Sequence, residues 1–388
     1  MTQEMATAGG TAEVRGECNE RYAGVRKVLQ DNLNSGADLG ASVAVFVDGE
    51  PVVDIWGGWV DESRTSPWER DTLVNVYSTT KTMTALSALV LADAGELDFN
   101  APVSTYWPEF AAAGKDAVQV RHLMSHTAGL SGWAAPMEPA DLYDWEKATS
   151  LLAAQEPWWQ PGTASGYHAV TQGYLVGEVV RRITGQTLGA FFAKQIAEPL
   201  GADFHIGLDA ADDARVATLS PPPSLTEQMA NLPADSIVRR TFTNPVVDVA
   251  VTADRDWRAA EIPAANGHGN ARSVAAVQSV LASGGEARGV RLLSEAGCNR
   301  VFEEQSNGEG VPQWIGFLRA VHPAESVAGN LLFDCPPGHY KLKISDEDGE
   351  RTAFIDIPLN FTNETPEVPV PGSDKKKDEG PPMFPNRK

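Results

Sequence analysis

Apolar residues run from Met83 through Leu86, Leu89, Val90 and Leu91 to Ala94, and Gly95 stops them. A helix that is apolar on most sides belongs at the centre of a domain, and glycine supplies the left-handed stop such helices commonly use. The rest of the chain must therefore be layered around this element. The run opens with Val76-Tyr77-Ser78-Thr79-Thr80-Lys81. Serine and lysine three apart share one helix face, so Ser78 Oγ and Lys81 Nζ can meet. A helix start also offers unpaired N–H groups and partial positive charge. That field, with burial, disfavours an ammonium and favours an amine able to take the serine proton. Ser78 reads as a nucleophile and Lys81 as its base.

Ser-x-x-Lys alone is a weak signal, since average composition places about one in a chain of this length. Ser373-Asp374-Lys375-Lys376 repeats it in a Pro- and Lys-rich tail with no helix to build on. The competing reading of Ser78 and Lys81 is an ordinary pair of helix-surface residues. The buried helix behind Ser78 is what separates the two matches.

With 388 residues, 42% of them hydrophobic, the chain can bury one large core or two smaller ones. A formal charge of −21 argues against nucleic acid and anionic membrane as partners. Cys18, Cys298 and Cys335 are too scattered for a disulfide framework or a zinc site. No signal peptide and no spanning apolar window is evident, so a cytoplasmic location is expected. Among ten tryptophans, Trp158 stands in Pro157-Trp158-Trp159, where it suggests a pocket wall; packing is the alternative.

Residues 1–18 read as a loose, flexible N-terminus, followed by an amphipathic helix over 21–33. Two β-rich runs, 42–47 and 51–56, flank Asp48-Gly49 as in a hairpin, and 73–77 read as an extended approach to Ser78. Helices are expected at 118–124, 141–154, 170–184 and 188–196, with a loop over 157–166. Residues 209–262 read as a long lid-like excursion, and 266–270 as a glycine-rich turn before a helix at 272–283. Strands are expected at 330–333, 339–344 and 352–358, with a turn at 346–349. One domain therefore spans 19–360, its helical and lid region about 95–262, and a flexible tail occupies 361–388.

Several chemistries lack their signatures. There is no Gly-x-Ser-x-Gly, HExxH or GxxxxGK[ST], and Gly267-His268-Gly269 lacks the third glycine of a dinucleotide fingerprint. A hydrolase without metal or cofactor survives this screen.

Val76-Tyr77-Ser78-Thr79-Thr80-Lys81, with Leu123-Met124-Ser125-His126-Thr127-Ala128-Gly129-Leu130 downstream, resembles the class C β-lactamase and penicillin-binding-protein-like serine hydrolases, closest to their family VIII carboxylesterase branch. Pro161-Gly162-Thr163-Ala164-Ser165-Gly166-Tyr167-His168-Ala169 resembles the second box of that family. Segments 199–208 and 266–272 fit the same branch, and the likeness covers roughly residues 20–300. It implies a mixed α/β (α+β) fold of the β-lactamase/transpeptidase type. In that fold an antiparallel sheet from both chain ends is flanked by helices, with a helical region inserted.

The resemblance further implies Ser78 as acyl-accepting nucleophile, Lys81 as base and Tyr167 as proton-transfer partner on a small-molecule ester. A phenol beside an ammonium is drawn toward phenolate, which suits such sharing. Ala169 stands where the β-lactamase form carries asparagine, favouring esters over β-lactams. His168 is placed on the pocket wall, whereas His126 reads as structural. The third box has no clean copy: His322, in Ala320-Val321-His322-Pro323-Ala324, is the best candidate for a substrate contact, with Gly338-His339-Tyr340 behind it. Two alternatives stay open: a β-lactamase or D-alanyl peptidase of the same fold, and a binding or scaffold protein impaired by a degenerate third box. Oligomeric state is not legible.

Overall fold

The runs flanking Asp48-Gly49 form the expected hairpin, β2 (Gly40–Val47) and β3 (Glu50–Gly58) pairing antiparallel. In the computed structural model, which describes residues 12–220, 232–308, 311–314, 317–318, 338–345 and 352–359, Asp48 and Gly49 take φ of 53° and 80°. A two-residue turn with the hairpin's twist needs positive φ at both positions. β1 (Arg15–Cys18) joins the other edge of β3, giving the order β1-β3-β2. The expectation of a loose start through residue 18 is corrected at this strand. Arg15-Gly16-Glu17-Cys18 has no apolar alternation to announce a strand, and backbone pairing with an open edge forms it regardless. Residues 1–11 lie outside the described residues.

α1 (Ala23–Ser35) lays Leu29 and Leu33, one helical turn apart, over Val53 and Ile55 of β3, forming a small core on one side of the sheet. On the other side the chain passes through β4 (Val74–Asn75) into α2 (Thr80–Asp93), the centre of the main core. Met83, Ala85, Leu86, Ala88 and Leu89 are fully buried, as an all-round apolar helix requires. α3 (Val120–Met124) and α4 (Trp145–Ala154) pack on α5 (Thr171–Thr184), and α2 packs on α5 and α6 (Leu188–Phe192). The apolar groups these contacts remove from water stabilise the fold by about 25 cal/mol per Å².

The glycine-rich stretch expected as a turn is instead a strand, β5 (His268–Gly269), which pairs antiparallel with β4. Its glycines serve close approach: a Cβ on Gly269 would stand 2.4 Å from the Phe204 ring. α7 (Ala271–Ala282) follows and covers β2, tied by its Arg272 Nε to Asp54 of β3 at 2.7 Å.

The excursion at 209–262 is tied to the body of the fold at described points. Asn244 Nδ2 donates to the Trp133 and Ala135 carbonyls at 2.8 Å each, and Trp257 lies in the main core. Trp257 also donates to Asn75 of β4 at 2.9 Å. Among the described residues no helix is long and apolar enough to cross a membrane.

The chain divides into two units, Met1–Val321 with Val327–Asn330 and His322–Ser326 with Leu331–Lys388. In the second, Gly338–Ser345 pairs antiparallel with Thr352–Leu359, close to two of the expected strands. The strand read at 330–333, the turn at 346–349 and the tail from 361 lie outside the described residues. A small antiparallel sheet, Glu304–Gly308, Val311–Trp314 and Phe317–Leu318, carried no sequence signal. Within the first unit, the described strands of 304–318 pair with one another and β1-β3-β2 stands as a sheet of its own.

Candidate active site

The turn into α2 is forced. The Val76 N–H donates to the Gly267 carbonyl at 2.8 Å, and Tyr77 bridges in parallel to Asn266. The chain then bends at Tyr77, whose φ of 40° is strained for a bulky residue. Thr80 holds the bend: its N–H and Oγ1 both donate to the Tyr77 carbonyl, at 2.9 and 2.5 Å, while Oγ1 accepts from the Gly267 N–H at 2.8 Å. Ser78 is thereby lifted out of the strand line at the start of α2, half-buried. Its own N–H has no hydrogen-bond partner among the described residues.

Lys81 and Tyr167 converge on Ser78. Lys81 Nζ lies 3.1 Å from Ser78 Oγ, and the Tyr167 hydroxyl donates to the same oxygen at 2.6 Å. Lys81 is only 4% exposed, and Nζ also donates to the carbonyls of Ala169 at 2.7 Å and Ala264 at 2.8 Å. Three oxygens, the two carbonyls and Ser78 Oγ, thus lie within hydrogen-bond reach of the nitrogen. An uncharged amine held this way would point its lone pair at the serine proton.

The Ser125–Leu130 turn scaffolds the Tyr167 loop. Gly129 accepts from the Trp158 N–H at 2.7 Å, Thr127 from the Gly162 N–H at 2.9 Å, and His126 from the Gly166 N–H at 3.0 Å. The His126 ring stands 5.0 Å from the Tyr167 ring, and the His168 ring lies 5.5 Å beyond it. His126 Nδ1 accepts the His168 backbone N–H at 3.1 Å, which fits the structural role expected of it. His168 is fully buried; Nε2 accepts from the Leu130 N–H at 3.1 Å, so Nδ1 carries the proton toward the Gly166 carbonyl at 2.6 Å. Burial drives both imidazoles below their ordinary range, His168 to about 4, and nearby Lys81 adds to the effect.

The placement of His168 on the pocket wall is therefore corrected. Its ring turns away from solvent because both nitrogens are used inside the fold. Trp158 lines a groove of about 410 Å³ with Leu151, Pro157 and Arg240, and its ring stacks under the Arg240 guanidinium at 3.9 Å. Ser78, Lys81 and Tyr167 are not among the residues lining that groove. His322 lies outside the described residues, whereas His339 falls on the strand Gly338–Ser345.

Three features escaped the sequence reading. The carbonyls of Ala169 and Ala264 act through backbone atoms, which no side-chain identity reveals. Asn266 pins the segment that carries Ala264, though it read only as part of a turn. Tyr77 borders the site with its hydroxyl pushed up to about 12, by burial first and the Asp248 charge second.

Residues 25–313 match the family described as Beta-lactamase. The chain is 37% identical over 290 residues to the esterase/beta-lactamase LipL of Mycobacterium tuberculosis, covering 72% of this chain and 67% of that one. A solved family VIII carboxylesterase superposes with a TM-score of 0.75 at 38% identity, covering 91% of this chain and 95% of that one. A penicillin-binding protein homologue from Caulobacter crescentus gives 0.72 at 39% identity, covering 79% and 83%.

Proposed function

This chain belongs to the β-lactamase family, and from that premise we propose that it is a serine hydrolase cleaving small carboxylic esters through an acyl-Ser78 intermediate. The observation that carries the reading is the convergence of Lys81 Nζ and the Tyr167 hydroxyl on Ser78 Oγ, at 3.1 and 2.6 Å. Both distances are within reach for proton transfer.

In acylation, Ser78 Oγ attacks the ester carbonyl as its proton passes to Lys81. The developing oxyanion is met by the Ser78 N–H, and a preorganised donor of this kind typically contributes roughly a hundredfold or more to the rate. The tetrahedral adduct collapses as Tyr167 protonates the departing alkoxide, and Tyr167 recovers a proton from Lys81. Water then attacks the acyl carbonyl, losing its proton to the same pair, and Ser78 leaves with its proton restored as the acid departs.

Family VIII carboxylesterase likeness and the alanine at 169 both support esters as the substrate class. Hydrolysis of p-nitrophenyl acetate by the parent and by Ser78→Ala tests the reading. A loss of at least about a thousandfold is expected; equal rates in both proteins would falsify it. The name of LipL also gives β-lactamase a place as second reading, and nitrocefin turnover measured beside the ester, with the higher kcat/KM, separates the two.

A further inference from the structure

We propose that Asn266 is a positioning residue for Lys81, acting through the backbone of residues 262–265; the inference rests on the hydrolase reading above. Asn266 is fully buried, and its side chain spends its hydrogen bonds on one turn. Nδ2 donates to the carbonyls of Trp257 at 2.8 Å and Ala260 at 2.6 Å, and Oδ1 accepts the Ile262 N–H at 2.9 Å. The Ile262 carbonyl in turn accepts the N–H groups of Ala265 at 2.8 Å and Asn266 at 3.1 Å. The amide thus closes the loop between Trp257 and Asn266 from within.

What that loop presents to the site is a row of three carbonyls. Pro263 accepts from Thr84 Oγ1 at 2.5 Å, Ala264 from Lys81 Nζ at 2.8 Å, and Ala265 from Asn75 Nδ2 at 3.1 Å. Lys81 and Thr84 lie one turn apart on α2, so one helix face grips two successive carbonyls. The Ala264 carbonyl fixes one hydrogen of Nζ, as Ala169 fixes another, and so helps to aim the nitrogen at Ser78. A shift of that carbonyl leaves Lys81 in the site but turned off the serine. Misplacement near 1 Å of a catalytic group can cost on the order of a hundredfold in rate.

The test is Asn266→Ala, with folding followed by circular dichroism and sites counted by fluorophosphonate labelling. Expected is a kcat on p-nitrophenyl acetate about 10- to 100-fold lower per labelled site, with KM little changed. The acid limb of the pH–rate profile moves to lower pH, because a carbonyl dipole stabilises ammonium more than amine. A per-site rate within about twofold of the parent, with an unmoved acid limb, overturns the proposal and marks Asn266 as merely structural. Thr84→Val loosens the neighbouring carbonyl from the opposite side and carries the same test should Asn266→Ala fail to fold. Ser78→Ala keeps the two readings apart. If it is inactive while Asn266→Ala behaves as the parent, only the positioning role falls; if it is active, the hydrolase reading falls.

Discussion

Tyr167 reaches Ser78 across 89 residues of chain, and its hydroxyl touches the serine oxygen while the ring stays half-buried. If that hydroxyl protonates the leaving alkoxide, its importance must depend on how badly the leaving group needs a proton. Tyr167→Phe is expected to lower kcat on an ethyl or benzyl ester by about 10²–10⁴-fold. The loss on a p-nitrophenyl ester is expected to be smaller, since that phenolate departs unaided. Steady-state rates across a series of alcohols check this, and an equal loss across the series removes Tyr167 as leaving-group acid. That Ser78, Lys81 and Tyr167 would meet was legible because their polar groups lie in their side chains and their neighbours resemble family boxes. His168 was misread for its nearness in sequence to Tyr167. Adjacent side chains of an extended segment face opposite ways, and here one ring meets Ser78 while the next is buried between Gly166 and Leu130.

Helix α5 approaches the Lys81-holding segment at a glycine. A Cβ on Gly173 would lie 2.4 Å from the Ala264 nitrogen and 2.6 Å from the Pro263 carbonyl carbon. Alanine inside a helix gains about 1 kcal/mol over glycine by propensity. Against backbone atoms that cannot swing aside, overpacking typically costs about 1–3 kcal/mol, so Gly173→Ala should be net destabilising. It should also displace the Ala264 carbonyl and lower kcat. Gly185, the left-handed stop of the same helix at φ +70°, has open space around its Cβ position. Gly185→Ala is expected to lower the melting temperature while leaving ester turnover at the parent value. Thermal melts and kinetics on both variants decide; a parent-like kcat in Gly173→Ala defeats the coupling. This contact was invisible in sequence, where glycine at 173 reads only as a weak helix former. The hairpin at Asp48-Gly49 was legible because its turn is local, and α2 because its burial is written in its own residues. β5 was misread because glycine marks both turns and tight backbone contacts, and only tertiary partners such as Phe204 tell them apart.

Across the whole molecule, His126, His168 and His268 are buried at 4%, 0% and 0% exposure. Burial is the leading cause that lowers all three, bringing His168 and His268 to about 4. The unfolded chain would protonate these imidazoles near pH 6.5, so between pH 6.5 and 4 it binds more protons than the fold does. Their contribution to stability is whole above about pH 6.5 and falls as the pH drops toward 4, by at most about 1.4 kcal/mol per pH unit for each histidine. Glu261 works in the opposite sense: burial raises its pKa, and acidification relieves that penalty. Asp203 is held low by Arg215 and His205 against the pull of burial, so its stabilisation is lost only below the histidine window. Relief of self-repulsion from the charge of −21 also favours the acid side, but exposed charges are screened over about 8 Å at 0.15 M salt. Among the described residues four histidines, these three and the partly buried His122, stand against Glu261 and set the net direction. At 0.15 M salt the melting temperature is expected to fall steadily from pH 7.5 to pH 5, with proton uptake on unfolding measurable by calorimetry in buffers of different ionisation enthalpy. His168→Gln keeps a donor and an acceptor at this position without a titrating ring. It should take up about one proton fewer than the parent on unfolding near pH 5, whatever its absolute stability. The same uptake in both proteins would show that His168 is already charged in the folded state, and that the neutral tautomer linking Gly166 to Leu130 is not the one the fold holds.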